Sequence, residues 1–352
     1  MNRLVVVSAI FGMIIVFLQV TAARADKISE ASGIIRVGDK LLIVGDDHHG
    51  IIFHVKPGDL SRTVIRLKKG QSKARKLNSS RRFARDLESI GKLPDGRIVV
   101  LSEHTSALID DKGKLVAIYD GPFYSFGNRG LEGLAIRELA QARARVAVLW
   151  EGGFPQQRKL FWDLHGVFGG KVKLEPVILV HDLKKDAKNV EIRARMGTEP
   201  EVTLKPGKVN AELIKLATPV IPALDAVGTG LRAPDLVWHK LKTDQDRKWG
   251  FIVLLSHYDP GDKNLNFKLL HKFDTDGRAC GTPQGLNELI EAASLAATPD
   301  DGKANVKWNW EGMDWFDRAR KTKLIMVADR PKGKAAKAVV IKPARAWLDE
   351  LC

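Results

Sequence analysis

Carboxylates occupy two fixed places in a pattern that this chain repeats five times, and their crowding is the feature best suited to chemistry. The leading acids are Glu30, Glu88, Glu132, Asp235 and Glu311, each at an alternating apolar segment. A turn or loop follows, then a run of four or five apolar residues, then a polar group: Asp46 and Asp47, Glu103, Glu151, Ser256 and His257 with Asp259 slightly later, or Asp329. If these groups converge on one channel mouth they cannot all stay ionised. Basic side chains must neutralise them, a metal must bind, or some must hold protons. Hard oxygen ligands at this density suit Ca²⁺, with Glu103, Glu151 and Asp329 as candidate ligands, and nearby imidazoles leave Zn²⁺ open. Glu151, His257 and Asp329 are the candidates for activating water, because the residue type at the closing place varies between copies, as in a site rather than a scaffold. Arg129, Glu132 and Glu311 are the candidates for holding a ligand. The leading acids have a plainer alternative, which is to accept backbone N–H bonds and lock the repeats together. His48, His49 and His104 read as surface or hydrogen-bonded imidazoles.

The elements that must position these groups are antiparallel pairs. Gly38-Asp39 and Pro94-Asp95-Gly96 are hairpin turns, and runs such as IVVL from Ile98 and FIVLL from Phe251 are apolar without alternation, as expected of strands buried on both faces. The start of the first strand and the end of the second then lie at one edge, so both polar groups of each repeat face one way. Further hairpins around Asp110 to Gly113 and Asp274 to Gly277 give four strands per unit, the building block of a β-propeller. The interval from Glu132 to Asp235 is about twice a repeat and leaves room for one more unit. The expectation is therefore an all-β, six-bladed propeller of four-stranded antiparallel blades. PVILVHDL from Pro176 and VEIRARM from Val190 read as strands of the decayed blade, and GLNELIEAASLA from Gly285 as a short helical insertion.

Residues 1–25 combine Arg3, an apolar stretch from Leu4 to Leu18, and Ala23-Arg24-Ala25, the pattern of a cleaved signal peptide. The apolar run is short for a bilayer span, so the expectation is a periplasmic or secreted single domain over 26–352 with no stable membrane anchor. The formal charge of +15 falls by two with the loss of Arg3 and Arg24 and favours a small anionic ligand or ester substrate, while export argues against nucleic acid. Much of that charge lies between Arg62 and Arg85, as an anion-binding patch or a solvated rim loop. Cys280 and Cys352 are a possible disulfide pair in an oxidising compartment, two free thiols being the alternative. No GxSxG, HExxH or CxxC motif occurs, and the GxGxxA string at Gly228 precedes a strand rather than a helix.

NRGLEGLAI from Asn128, NWEGMDW followed by LIMVADRP, and DLESIGKLPDGRIVVLSE resemble the exported bacterial phytase-like, or "esterase-like activity of phytase", family. The resemblance implies a propeller and ester or phosphate-ester hydrolysis. Two readings stand: a metal-assisted ester hydrolase at the channel mouth, and a non-catalytic propeller that recognises an anionic ligand or an envelope partner.

Overall fold

The structure is a computed structural model that describes residue 28 and residues 30–46, 49–56, 64–66, 72–76, 85–120, 130–151, 176–195, 208–217, 232–243, 246–257, 267–295, 309–329 and 336–352. For 64–66, 72–76, 194, 195, 210, 257, 294, 295 and 329 it describes the backbone only. The first unit comprises β1 (Ala31–Val37), β2 (Lys40–Gly45), β3 (Ile51–Val55) and, after β4 (Val64–Arg66), β5 (Ser72–Lys76). The second is β6 (Leu87–Lys92), β7 (Ile98–Ser102), β8 (Ala107–Asp110) and β9 (Leu115–Asp120). The third is β10 (Leu131–Leu139), β11 (Arg143–Trp150), β12 (Val177–Leu183) and, after β13 (Val190–Arg195), β14 (Lys208–Lys215). The fourth is β15 (Arg232–Lys242), β16 (Arg247–His257), β17 (Phe267–Phe273) and β18 (Ala279–Gly285), followed by helix α1 (Leu286–Leu295). The fifth is β19 (Asn309–Trp315), β20 (Leu324–Asp329) and β21 (Lys337–Ile341), ahead of the short helix α2 (Arg345–Leu348).

The second strands are apolar throughout because each is covered on both faces. Within β2, Leu41 and Ile43 pack towards β20 and β21, whereas Leu42 and Val44 pack towards β6 and β7. Within β16, Phe251, Val253 and Leu255 join the core of the third unit, and Ile252 and Leu254 join that of the fifth. Alternate side chains of one strand thus serve two neighbours, as the two-residue period of a pleated strand requires. Each fully buried Leu, Ile or Val contributes roughly 1.5–3 kcal/mol. Five such cores separate successive units in cyclic order, the last joining the fifth unit to the first.

The innermost strands β1, β6, β10, β15 and β19 follow the same order, each packed against the next and β19 against β1. The arrangement is propeller-like, with five units rather than the expected six among the described residues. Because β10 touches both β6 and β15, no inner strand fits between the third and fourth units. The residues assigned to a sixth unit belong elsewhere. β12 is the third strand of the third unit, and β13 runs parallel to both β9 and β14, welding the second and third units into one nine-stranded sheet. β4, from the N-terminal part of the chain, pairs antiparallel with β21 as the fourth strand of the fifth unit. Part of the basic stretch is therefore edge strand, in β4 and β5. Cys280 and Cys352 form a disulfide across 72 residues. The same tail is held by Lys272, a fully buried lysine whose Nζ donates to the Trp347 and Glu350 carbonyls at 2.7 and 3.1 Å.

Candidate functional site

Every inner strand carries a bulge near its start. The register with its partner skips between Ala31 and Gly33, Leu87 and Ser89, Leu131 and Leu134, Arg232 and Asp235, and Trp310 and Gly312. Aligned on the bulge, the copies place Ser32, Glu88, Glu132, Pro234 and Glu311 at one position. Gly33, Ser89, Gly133, Asp235 and Gly312 take the next. An extra residue in one strand re-aims its side chain, and here it turns three glutamates towards one another near the axis. Glu30 and Asp235, expected as equivalents of the other leading acids, fall two residues before and one residue after that position. Glu30 instead sits at φ 51°, as does the corresponding Asp86 at φ 46°.

At the glycine level the inner strands approach so closely that side chains do not fit. A Cβ added at Gly33 would lie 2.7 Å from the Ser89 Cα, one at Gly133 2.9 Å from the Asp235 Cα, and one at Gly312 2.8 Å from the Gly33 Cα. Asp235, 1% exposed, fills this waist. Its Oδ1 accepts the N–H groups of Leu134 (3.3 Å) and Leu236 (2.8 Å), and its Oδ2 that of Met313 (2.5 Å), tying β10, β15 and β19 together. Burial raises its pKa while the three N–H donors oppose the rise. This acid is a lock.

Above the waist lie Glu88, Glu132 and Glu311. Glu132 is buried, its Oε1 accepting the Gly130 N–H at 3.2 Å, while Glu88 and Glu311 remain partly open. Glu311 Oε1 accepts the Asn309 amide. Burial first, and then the charges of Glu132, Glu311, Glu103 and Asp46, push the Glu88 carboxyl well above the usual range. Burial likewise raises Glu132, reinforced by Glu151, Glu103 and Glu311 and opposed by Arg232. Carboxylates facing one another in a poorly solvated space retain protons.

The closing acids do different work. Glu151 is fully buried; Oε1 accepts the Ala233 N–H at 2.5 Å and Oε2 the Arg232 Nε at 3.0 Å. Arg232 is held more firmly protonated by Glu151 first, with Glu132 and Glu311 adding to the effect. Its side chain is 30% exposed, the described cation nearest the ring. Glu103, also buried, takes the equivalent place against Gly130, where any side chain would collide with its carboxylate. Each of these two acids thus reaches the start of the next inner strand. The register places Ser256, rather than His257, level with Glu103 and Glu151. The side chains of His257 and Asp329, and all of Arg129, Asp47 and His48, lie outside the described residues.

Of the predicted site, the structure brings Glu132, Glu311, Glu103 and Glu151 to one mouth, and Arg232 is the member sequence reasoning missed. Arginine directly before the APD segment was a visible signal. Among the described residues no three His, Cys, Asp or Glu side chains gather as a metal-binding group. Glu151, a predicted Ca²⁺ ligand, has one oxygen on the Ala233 N–H and the other on Arg232. What the arrangement can do is hold and transfer protons beside one fixed cation.

No protein-family profile matches the chain, and no curated protein matches it. Solved structures do align. They include an endo-arabinase from Bacteroides thetaiotaomicron, at TM-score 0.42 and 10% identity over 90% of this chain and 94% of that one. A luciferin-regenerating enzyme aligns at 0.38 and 9% over 94% and 98%, and a putative gluconolactonase at 0.35 and 9% over 93% and 92%. At these scores no residue role or substrate transfers from them.

Proposed function

We propose that the chain is an exported, periplasmic or secreted hydrolase of phosphate or carboxylic esters, working by general acid–base catalysis at the carboxylate mouth of the channel. The observation that carries the reading is the group of Glu88, Glu132 and Glu311, two of them pushed to retain protons and two of them open to solvent. In the reaction, a water oxygen bonds to the carbonyl carbon or phosphorus and the ester C–O or P–O bond breaks. The leaving oxygen takes the proton held by Glu132, and Glu311 accepts the proton released by water. Arg232 lies where the anionic product forms, already held in place by Glu151. The signal-like N-terminus and the resemblance of the EGLA-type repeat to the phytase-like family support the setting.

The test is turnover of p-nitrophenyl acetate and p-nitrophenyl phosphate by the purified chain, with and without chelator. Glu132→Gln is expected to lower kcat by about 10²–10⁴, the usual contribution of general acid–base catalysis, without lowering the melting temperature. Absence of turnover on both esters, or an unchanged kcat in the variant, overturns the proposal. The non-catalytic anion-binding reading then takes its place. A loss of rate in chelator would add a metal to the site.

A further inference from the structure

Beneath the waist, on the opposite side from the carboxylates, the axis opens into a cavity of about 310 Å³. Its inner wall is apolar, from residues such as Ile35, Ile90 and Leu134, and its outer wall carries Arg137, Trp238, Trp249, Trp315, Arg318 and Lys321. A second cavity of about 300 Å³ shares Trp249 and Lys321 with it. Most charges here are already satisfied. Arg318 pairs with Asp314 at 2.9 Å, and Arg247 and Arg345 share Asp349 at 2.8 and 2.6 Å. The Trp238 and Trp315 indole N–H groups donate to the carbonyls of Ala135 and Trp238.

Arg137 and Lys321 are among the charges that are not, as is Lys240, whose Nζ lies 5.5 Å from the Trp249 ring centroid. Among the described residues neither the Arg137 nor the Lys321 side chain has a carboxylate within ion-pair distance or a hydrogen-bond acceptor, and the Arg137 Nε is buried without a described partner. Both instead lie over the same indole. The Arg137 guanidinium carbon is 4.3 Å and the Lys321 Nζ 4.5 Å from the Trp249 ring centroid, with Arg137 also 4.9 Å from that of Trp238. A cation–π contact is worth roughly 0.5–2 kcal/mol, too little to compensate fully for withdrawing two like charges from water around one ring. Burial, aided by Arg137, Lys240 and Arg318 against the attraction of Asp314, lowers the Lys321 amine to about 8. Lys321 also sits at φ 51°, a strained conformation for a residue with a side chain. A bound anion would supply the missing counter-charge, and Trp249 would supply a flat apolar surface beside it.

We propose that this cavity is a second ligand site, for an organic anion. The phosphate or carboxylate group pairs with Arg137 and Lys321, and the flat apolar part lies against the half-buried Trp249. The site is distinct from the carboxylate mouth and stands whether or not that mouth is catalytic.

Phenylphosphonate, which carries no ester bond to hydrolyse, is the probe, with inorganic phosphate and phenol as its two halves. Calorimetric titration of the full chain should show a phenylphosphonate site that persists in Glu132→Gln, with each half binding there at least tenfold more weakly. Arg137→Gln and Lys321→Gln should each weaken binding at least tenfold, Arg137→Lys should restore part of it, and Glu132→Gln should leave it unchanged. Tryptophan fluorescence should change on binding in the wild type and much less in Trp249→Leu. Wild-type affinity in both charge variants overturns the proposal, as does binding lost only in Glu132→Gln. Inorganic phosphate binding as tightly as phenylphosphonate removes the organic part of the ligand and overturns it as stated.

Discussion

Replacing Asp235 by Asn asks whether the waist depends on a charged carboxylate or only on a side chain of that shape. Asp235 accepts three backbone N–H groups from β10, β15 and β19 with two oxygens. Asparagine keeps one acceptor oxygen, able to take the Leu134 and Leu236 donors, but turns an NH₂ group towards the Met313 N–H. One charge-assisted bond is lost and one buried donor is left unpaired, at about 1.5–3 and 1–3 kcal/mol respectively. Neutral Asn is cheaper to bury than an ionised Asp, which offsets part of this, so the net cost should be about 2–4 kcal/mol. For a domain of this size that corresponds to a fall in Tm of roughly 3–5 °C. Urea unfolding followed by tryptophan fluorescence measures it, with an unchanged m-value showing that the compactness of both states is preserved. Asp235→Ala, which frees all three donors, should cost more still. If Asp235→Asn is as stable as the parent to within about 0.5 kcal/mol, the reasoning fails, because burial would then already hold Asp235 neutral and the N–H groups would gain nothing from its charge.

Glu151→Gln should destabilise by about 1–3 kcal/mol in the same assay, since it leaves Arg232 facing a neutral amide; the range is reduced from that of a fully buried pair because Arg232 is 30% exposed. Stability should also fall in acid. Burial lowers His181, His239 and His271 to about 4 in the folded state, against about 6.5 unfolded, so the unfolded chain binds more protons between those values. Their contribution is complete above pH 6.5 and is lost as pH falls towards 4, by up to roughly 3 kcal/mol each, and His181→Phe should flatten that limb of a stability-against-pH curve. Cys352→Ser should cost roughly 4 kcal/mol through the entropy of the loop that the disulfide closes, and non-reducing mass spectrometry of the parent should find the Cys280–Cys352 linked peptide.

The repeat was legible because it is written in local chemistry. Hairpin turns such as Gly38-Asp39 and two-sided apolar runs such as IVVL identify the inner pairs, and α1 is marked by Leu286, Leu289, Ile290 and Ala293 on one face. Two strand pairings between units were not legible, for a physical reason. β13 pairs parallel with strands of two units and β4 completes a unit far from it in sequence, and neither partner choice is encoded near the strand itself. A bulge also hides alignment. Ser32 and Pro234 occupy the glutamate position without carrying its charge, so Glu30 and Asp235 were taken in their place, and the same offset substituted His257 for Ser256.

Within both sets of acids the surroundings differ from copy to copy. Variation at the closing place suggested a site, but Glu151 is held by the next strand's N–H and guanidinium, a scaffold role that tolerates a different residue wherever the neighbouring strand begins differently. The bulge turns Glu88, Glu132 and Glu311 inwards instead. Sequence gave no sign of the basic cavity. Arg137, Trp249 and Lys321 come from β10, β16 and the segment between β19 and β20, and only the ring brings them together.

The central claim is that the channel mouth stores protons on crowded glutamates. The most direct measurement is a ¹³C-detected titration of the Glu88 and Glu132 side-chain carboxyls, assigned by Glu→Gln substitution. The account predicts that the pair titrates in coupled steps, at least one of them well above the ordinary glutamate value of about 4.3. Glu311→Gln should lower that step, because one of the charges raising both groups is removed. If Glu88 and Glu132 both titrate near 4.3 and do not respond to Glu311→Gln, the mouth holds no stored proton and the acid–base account is contradicted.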